Sequence, residues 1–179
     1  MSLLVVRHGR TDWNDLEKVQ GTADIPLNSV GRKQAKETKQ LLKDEKIDII
    51  ISSPLIRAKQ TAQIINEEKN LDIIFDERIR ERNFGEFEGF DKKDFDFTDF
   101  WTYSKNLRYD KAENIQDFFK RIFDFLDVIK KEYRDKNVLL VIHGGVSVAV
   151  NAYFEGIPPE NTPTKGALKN CQVRKYEIK

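Results

Sequence analysis

The chain has two histidines, and each one follows a short apolar run rich in branched residues. His8 ends the run LLVVRH, and His143 ends the run VLLVIH, which a pair of glycines follows. An imidazole can act as a nucleophile when neutral and as a cation when protonated. Because the carboxyl ends of parallel strands meet at one edge of a sheet, we expect the two imidazoles to lie close together.

Two further apolar runs lead to guanidinium and carboxylate groups. The run IDIII leads to SSPLIRAKQTA, where Arg57 falls in the first turn of a predicted helix. A helix N-terminus and a guanidinium that point the same way form an anion site, and Arg7 adds a second guanidinium. The fourth run leads to RIRERNFGEFEG, which contains the carboxylates Glu81, Glu86 and Glu88.

This set of groups suits phosphoryl transfer through a phosphohistidine. His8 would be the nucleophile, and only its deprotonated form can attack, so we expect the arginines to keep its imidazole neutral. Arg7, Arg57 and a protonated His143 would hold the three equatorial oxygens. An alkoxide is a poor leaving group, so a carboxylic acid, for which Glu81 is the candidate, must protonate it and can then activate water.

Strands alternate with helices along the chain. Buried strands are predicted at Leu3–Val6, Ile47–Ile51, Leu71–Phe75 and Val138–Ile142. Helices are predicted at Arg32–Glu45, Ile56–Glu68, with Ser53 as cap, Ile115–Tyr133 and Gly144–Phe154. The pattern predicts an α/β fold of three layers, with a mostly parallel central sheet, helices on both faces and the run CQVRKYEI as an antiparallel edge strand.

The stretch from Phe84 to Asn114 does not fit this alternation. It is dense in aromatic and charged residues and has weak periodicity. We predict one domain over residues 1–179 with a cap-like insertion at about 84–114, whose aromatic side chains pack a small core of their own. Tyr103, Lys105 and Arg108 are candidates to face the pocket.

Composition excludes several classes of protein. The 31 Lys and Arg residues balance 30 Asp and Glu residues, so the chain lacks the basic field that binds nucleic acid or membrane surfaces. The single cysteine, Cys171, has no partner in the chain, and the first apolar run is too short for a signal peptide or a membrane span. These features predict a cytoplasmic protein with a small phosphorylated metabolite as its partner.

Five segments of the chain, in order, resemble a known family. They are LVVRHGRTDWN, QGTADIPLNSVGRKQA, SSPLIRAKQTA, ERNFGEFEG and VIHGGVS, and they span roughly residues 3–154. The family is the histidine phosphatase superfamily, which is also called phosphoglycerate mutase-like. Members of this type need no metal or other cofactor, and a chain this poor in His and Cys agrees with that expectation.

The resemblance also implies roles for individual residues. His8, Glu81 and His143 are implied as the catalytic groups. The phosphate-binding residues that it implies are Arg7, Asn14, Arg57 and Gly144. Arg10 stands where Glu or Gln is more usual, so Arg10 is a candidate for substrate contact, as is Thr22 in the second segment.

Three alternatives to a general phosphatase stay open. A cofactor-dependent mutase would return the phosphoryl group to the substrate, but such mutases usually carry a tyrosine where this chain has Phe84. The FGEFEG run is compatible with an α-ribazole-phosphate phosphatase. A non-catalytic module that only binds phosphorylated ligands is the third alternative, which intact His8 and Glu81 argue against.

Overall fold

The structure, a computed structural model, describes residues 2–158 and 163–178. Within these residues, one sheet contains β1 (Ser2–Arg7), β2 (Ile49–Ser52), β3 (Ile73–Phe75), β4 (Val138–Ile142) and β5 (Val173–Glu177). Its strand order is β3-β2-β4-β1-β5. The first four strands are parallel and β5 is antiparallel to β1 at one edge, so the predicted sheet is confirmed.

Helices cover both faces of the sheet. They are α1 (Asp12–Asp15), α2 (Ser29–Leu41), α3 (Ile56–Asn66), α4 (Ile115–Glu132) and α5 (Gly144–Glu155). Leu3 and Val5 of β1 pack with α4 and α5 on one face, whereas Leu4 and Val6 pack with α3 on the other. This alternation follows from the period of two along a strand, and it confirms the three-layer α/β fold.

Two predicted elements differ from the structure. β3 was expected to be buried, but it forms the edge of the sheet, and Ile74 and Phe75 are 39% and 43% exposed. Ser53 does not cap α3; the cap position is Leu55, without a side-chain hydrogen bond. A carboxylate from an earlier part of the chain accepts a hydrogen bond at this helix end instead. The backbone N–H of Ile56 donates to Asp24 Oδ1 at 2.6 Å.

The insertion, all of whose residues are described, consists of short 3-10 helices and loops. Its aromatic side chains pack on one another as predicted: the rings of Phe84 and Phe100 are stacked with centroids 5.1 Å apart, and those of Phe87 and Phe95 are tilted with centroids 4.4 Å apart. Arg82 is buried beneath this cluster and donates to the backbone oxygens of Phe100 and of residue 113 at 2.7 and 2.9 Å. This arginine therefore ties the insertion to the end of the preceding segment.

In the ranges 2–158 and 163–178, no helix is both long enough and apolar enough to cross a bilayer.

Candidate active site

The two histidines meet at the carboxyl ends of neighbouring strands. β1 and β4 are paired so that Arg7 lies opposite Ile142, and the backbone N–H of His8 donates to Ile142 O at 2.9 Å. His8 and His143 therefore leave the sheet side by side, with ring centroids 5.2 Å apart and both side chains buried. The expectation that the two imidazoles lie close together is confirmed.

The hydrogen bonds of His8 determine which ring nitrogen carries the lone pair. Nδ1 lies 2.7 Å from Gly9 O, an acceptor, so Nδ1 carries the proton. Nε2 accepts from Arg57 Nε at 3.3 Å. Burial, followed by the charges of Arg57 and Arg7, lowers the pKa of His8 well below its ordinary value. His8 is therefore a neutral imidazole whose Nε2 can attack an electrophile.

Arg57 is fixed in the first turn of α3 by two backbone acceptors. Its Nη1 donates to Ala23 O and its Nη2 to Gly21 O, each at 2.7 Å. Burial lowers the pKa of Arg57 to about 10, and the carboxylates of Glu81 and Asp24 oppose this shift. The guanidinium consequently stays charged at neutral pH beside His8.

Arg7 supplies the second guanidinium. Its Nη1 donates to Leu168 O at 2.8 Å, while its Nε is buried and has no partner among the described residues. The backbone of Gly144 passes so close that a Cβ there would lie 3.3 Å from Arg7 Cζ. Burial lowers the pKa of Arg7, and Glu81 opposes this shift.

His143 is held by a serine that the sequence had assigned to helix capping. Its Nε2 lies 2.7 Å from Ser53 Oγ, and its buried Nδ1 has no partner in the described part of the chain. Burial, followed by the charges of Arg57, His8 and Arg7, lowers the pKa of His143 well below its ordinary value. The expectation of a protonated His143 therefore does not hold for the protein alone, although a bound phosphate dianion would favour the protonated form.

The side chain of Glu81 lies beside the N-terminus of α5. Its Oε2 accepts from the backbone N–H of Gly145 and its Oε1 from that of Arg82, both at 2.9 Å. A side chain on Gly145 would clash with this carboxylate, so only glycine permits the approach. The other two carboxylates of the segment lie elsewhere: Glu86 is exposed, and Glu88 accepts from Thr22.

Asn14 is also brought to the pocket. Its Oδ1 accepts from the backbone N–H of Thr11 at 3.2 Å and from Asn170 Nδ2 at 3.3 Å, which leaves the amide Nδ2 of Asn14 for a ligand. Asn170 also donates to His8 O at 3.0 Å. Neither Asn170 nor Ser53 could be recognised from the sequence as a residue of this site, because each reaches the site through a contact distant along the chain.

The proposed substrate contacts are not brought to this pocket. The hydroxyl and backbone N–H of Thr22 are bound to Glu88, at 3.0 and 2.7 Å, and Arg10 pairs with Asp15. Neither Thr22 nor Arg10 lines the cavity around His8 in the part of the chain that the structure describes, because nearby carboxylates hold both.

The three candidates in the insertion also lie away from the pocket. Tyr103 packs on Phe119, with ring centroids 5.3 Å apart, and Lys105 pairs with Asp99. Arg108 is exposed to solvent. The interpretation of these residues as pocket-facing groups is therefore wrong, since the described lining of the cavity includes none of them.

The cavity beside His8 has a volume of about 290 Å³. Beyond the residues already described, its lining includes an apolar wall and two lysines: Val19, Phe84, Phe97, Trp101, Lys18 and Lys92. Within residues 2–158 and 163–178, no group of three or more His, Cys, Asp or Glu side chains is placed to hold a metal ion.

Comparison with known proteins identifies the family of this chain. The family described as histidine phosphatase superfamily (branch 1) matches residues 3–179. An uncharacterized phosphatase, PhoE, of Bacillus subtilis (strain 168) is 38% identical over 183 aligned positions, which cover 99% of this chain and 92% of that protein. Phosphoserine phosphatase 1 of Hydrogenobacter thermophilus is 33% identical over 80% of this chain and 71% of its own length.

A solved structure shows the same fold. That of Bacillus stearothermophilus YhfR superposes with a TM-score of 0.90 and 28% identity, covering 99% of this chain and 91% of the other. The chain belongs to the histidine phosphatase superfamily.

Proposed function

We propose that this protein hydrolyses a phosphomonoester in two steps, without a metal ion, through a phosphohistidine on His8. The observation that carries the proposal is the state of the His8 imidazole, with its proton on Nδ1 facing Gly9 O and its Nε2 facing the guanidinium of Arg57. A neutral nucleophile next to fixed positive charge suits attack on a phosphate dianion.

In the first step the lone pair of His8 Nε2 forms a bond to phosphorus, and the ester P–O bond breaks. Glu81, in its acid form, gives its proton to the departing alkoxide oxygen. Its carboxyl group is fixed for this role by the backbone N–H groups of Gly145 and Arg82. The product of the step is a free alcohol and a phosphoryl group on Nε2.

In the second step water attacks phosphorus and the N–P bond breaks. Glu81, now a carboxylate, accepts the proton of the water, which restores the acid for the next cycle. Inorganic phosphate leaves, and His8 regains its lone pair.

Four groups would hold the transferred phosphoryl oxygens. Arg57 and Arg7 contribute positive charge, and the Nδ2 group of Asn14 contributes a neutral donor. The buried Arg7 Nε and His143 Nδ1 have no hydrogen-bond partner within the described residues, and buried polar atoms of this kind normally have one. A phosphoryl oxygen would satisfy them, and its charge would favour the protonated form of His143.

Turnover of p-nitrophenyl phosphate by wild type and by His8→Ala tests the proposal. We expect wild type to release nitrophenol, and His8→Ala to reduce kcat by at least about a thousandfold, since the covalent route is lost. Rapid quenching at alkaline pH, followed by mass spectrometry, is expected to find the phosphoryl group on His8. Retained turnover in His8→Ala, or a label on another side chain, contradicts the mechanism. Phosphate binding without any turnover would favour the binding module.

The substrate belongs to the small phosphorylated metabolites of the cytoplasm. The cavity volume of about 290 Å³ fits such a molecule, and the relative from Hydrogenobacter thermophilus is named for phosphoserine. A screen of phosphorylated metabolites, with α-ribazole phosphate included and His8→Ala as the blank, would identify it. Interconversion of phosphoglycerates that bisphosphoglycerate stimulates would favour the mutase alternative instead.

A further inference from the structure

The guanidinium of Arg57 is oriented by a segment that contains neither helix nor strand. Residues 20–26 form a turn and a loop between α1 and α2. Two carbonyl oxygens of this loop, Gly21 O and Ala23 O, each accept a hydrogen bond of 2.7 Å from Arg57. The third contact of the guanidinium is that of Nε with His8 Nε2 at 3.3 Å. The direction in which the guanidinium faces His8 therefore depends on where these two carbonyls are held.

Glu88 of the insertion binds this loop through several donors. Its carboxylate accepts from the backbone N–H of Thr22 at 2.7 Å, from the Thr22 hydroxyl at 3.0 Å and from the backbone N–H of Ala23 at 3.0 Å. It also accepts from the backbone N–H of Phe84 at 3.2 Å, which attaches the carboxylate to its own segment. Hydrogen bonds to an ionised acceptor are among the stronger ones in proteins, so this carboxylate fixes the loop.

The peptide group between Gly21 and Thr22 connects the two charged side chains. Its N–H donates to Glu88 Oε1 and its C=O accepts from Arg57 Nη2, with 2.7 Å in each case. This peptide is trans and planar, so its N–H and C=O point in opposite directions, and the carboxylate and the guanidinium lie on opposite sides of one rigid group. A displaced carboxylate would therefore displace Gly21 O and, with it, the guanidinium.

The residue at position 21 must be glycine for this arrangement to form. Gly21 has a φ of +52°, and a Cβ there would clash with the carboxylate of Glu88. Glu88 is absent from the described lining of the cavity beside His8, whereas Gly21 and Arg57 belong to it. Burial lowers the pKa of Arg57, and Glu88 is one of the carboxylates whose charge opposes this shift. Glu88 thus acts on Arg57 without reaching the cavity itself.

We propose that Glu88 is a positioning residue for Arg57, which it holds against His8 through the peptide group between Gly21 and Thr22. This proposal rests on the proposed phosphatase function, in which Arg57 binds the transferred phosphoryl group. The simpler alternative is that Glu88 only attaches the insertion to the rest of the fold. In that case its removal would lower stability without a specific effect on Arg57.

A double-mutant cycle of Glu88→Gln and Arg57→Met separates the two roles. The amide NH2 of glutamine cannot accept a hydrogen bond, so the loop loses part of its support. With Arg57 present, we expect Glu88→Gln to reduce kcat/KM for p-nitrophenyl phosphate by at least about tenfold, because a displacement of about an ångström costs up to roughly a hundredfold. With Arg57→Met, the same substitution is expected to change kcat/KM by less than about twofold, since the group that it positions is gone.

The titration of His8, followed by proton NMR, measures the same coupling without turnover. Burial, followed by the charge of Arg57, lowers the pKa of His8. Loss of the negative charge of Glu88 would by itself lower this pKa further, so a rise in Glu88→Gln reports that Arg57 has moved away. We expect such a rise, smaller than that in Arg57→Met, and no rise from Glu88→Gln once Arg57 is Met. Glu86→Gln, at an exposed carboxylate of the same segment, is the matched control and is expected to change neither quantity.

Two outcomes would overturn the proposal. One is an equal loss of kcat/KM in both backgrounds, and the other is a pKa of His8 that does not rise in Glu88→Gln. If Glu88→Gln does not fold, Glu88→Asp, which keeps the charge on a shorter side chain, is expected to show the same coupling at a smaller size. Turnover that depends on His8 in any of these cases leaves the phosphatase function intact. If wild type lacks turnover, the titration of His8 still tests the position of Arg57.

Discussion

The carboxylate of Glu81 accepts a hydrogen bond from the backbone N–H of Gly145, with 2.9 Å between Oε2 and N. Gly145 lies in the first turn of α5, whose N-cap position is His143. The proposed acid is therefore positioned by the same helix start that follows the second histidine. This contact couples two parts of the site that are 64 residues apart in the chain.

Gly145→Ala is expected to lower kcat while the fold is retained. The new methyl group would clash with the Glu81 carboxylate and lie 2.9 Å from the Trp101 ring, so the acid would be displaced. Because misplacement of a catalytic group by about an ångström costs roughly a hundredfold, a loss of that order in kcat for an alkyl phosphate is expected. For p-nitrophenyl phosphate, whose leaving group needs less protonation, the loss is expected to be smaller. Equal losses for the two esters would contradict the role of Glu81 as the acid.

Burial, together with the charge of Arg57, is expected to keep His8 neutral down to pH values below 6.5, the ordinary pKa of histidine. A cation beside an imidazole disfavours its protonated form, so Arg57→Met is expected to raise the pKa of His8. Proton NMR can follow both rings without overlap, since the chain has only two histidines. Arg134→Met, at an exposed arginine, is the control. A wild-type His8 that titrates near 6.5 would refute this account.

Arg82→Met is expected to destabilise the protein by about 2–4 kcal/mol, since two hydrogen bonds from a charged group are lost and their acceptors remain buried. Arg82 is 1% exposed, its Cζ lies 3.7 Å from the Phe100 ring centroid, and burial lowers its pKa to about 9. Urea unfolding measures the change. Arg80→Met serves as the comparison, because the exposed pair with Glu77 contributes at most about 1 kcal/mol. Similar effects of the two substitutions would show that Arg82 does not anchor the insertion.

Ser53→Ala is expected to reduce kcat/KM by about tenfold, because His143 Nε2 loses a hydrogen bond of 2.7 Å that orients the ring. Ser53→Thr keeps the hydroxyl and is expected to restore part of the activity. The adjacent Ser52 is equally buried, but its hydroxyl donates to Ser53 O, so Ser52→Ala is the matched control. If the two alanine variants have the same activity, the contact with His143 has no catalytic importance.

The strands and the main site residues could be predicted because both depend on short-range patterns. Buried branched runs mark β1 and β4, and a parallel sheet necessarily brings their carboxyl ends together. His8 and His143 end such runs and Arg57 lies in the first turn of the helix after another, so the pattern that predicts the sheet also predicts their convergence.

Residues that act through distant contacts could not be predicted in this way. Ser53 binds His143 across 90 residues, and Asn170 binds the backbone of His8 across 162. The segments that resemble the family suggest substrate contact for Arg10 and Thr22, but the structure gives both residues other partners. Their actual partners are carboxylates, and which carboxylate pairs with which donor depends on the tertiary fold.

His8 and Glu81, the two residues proposed to react, lie outside the insertion at 84–114, whereas most of the apolar wall of the cavity lies inside it. Under the proposed mechanism, the reacting groups and the apolar surface next to a leaving group therefore come from separate stretches of chain. Exchange of the insertion between relatives is therefore expected to change which ester binds while His8 and Glu81 stay in place. One fold could in this way accept new substrates without any change in its reacting groups.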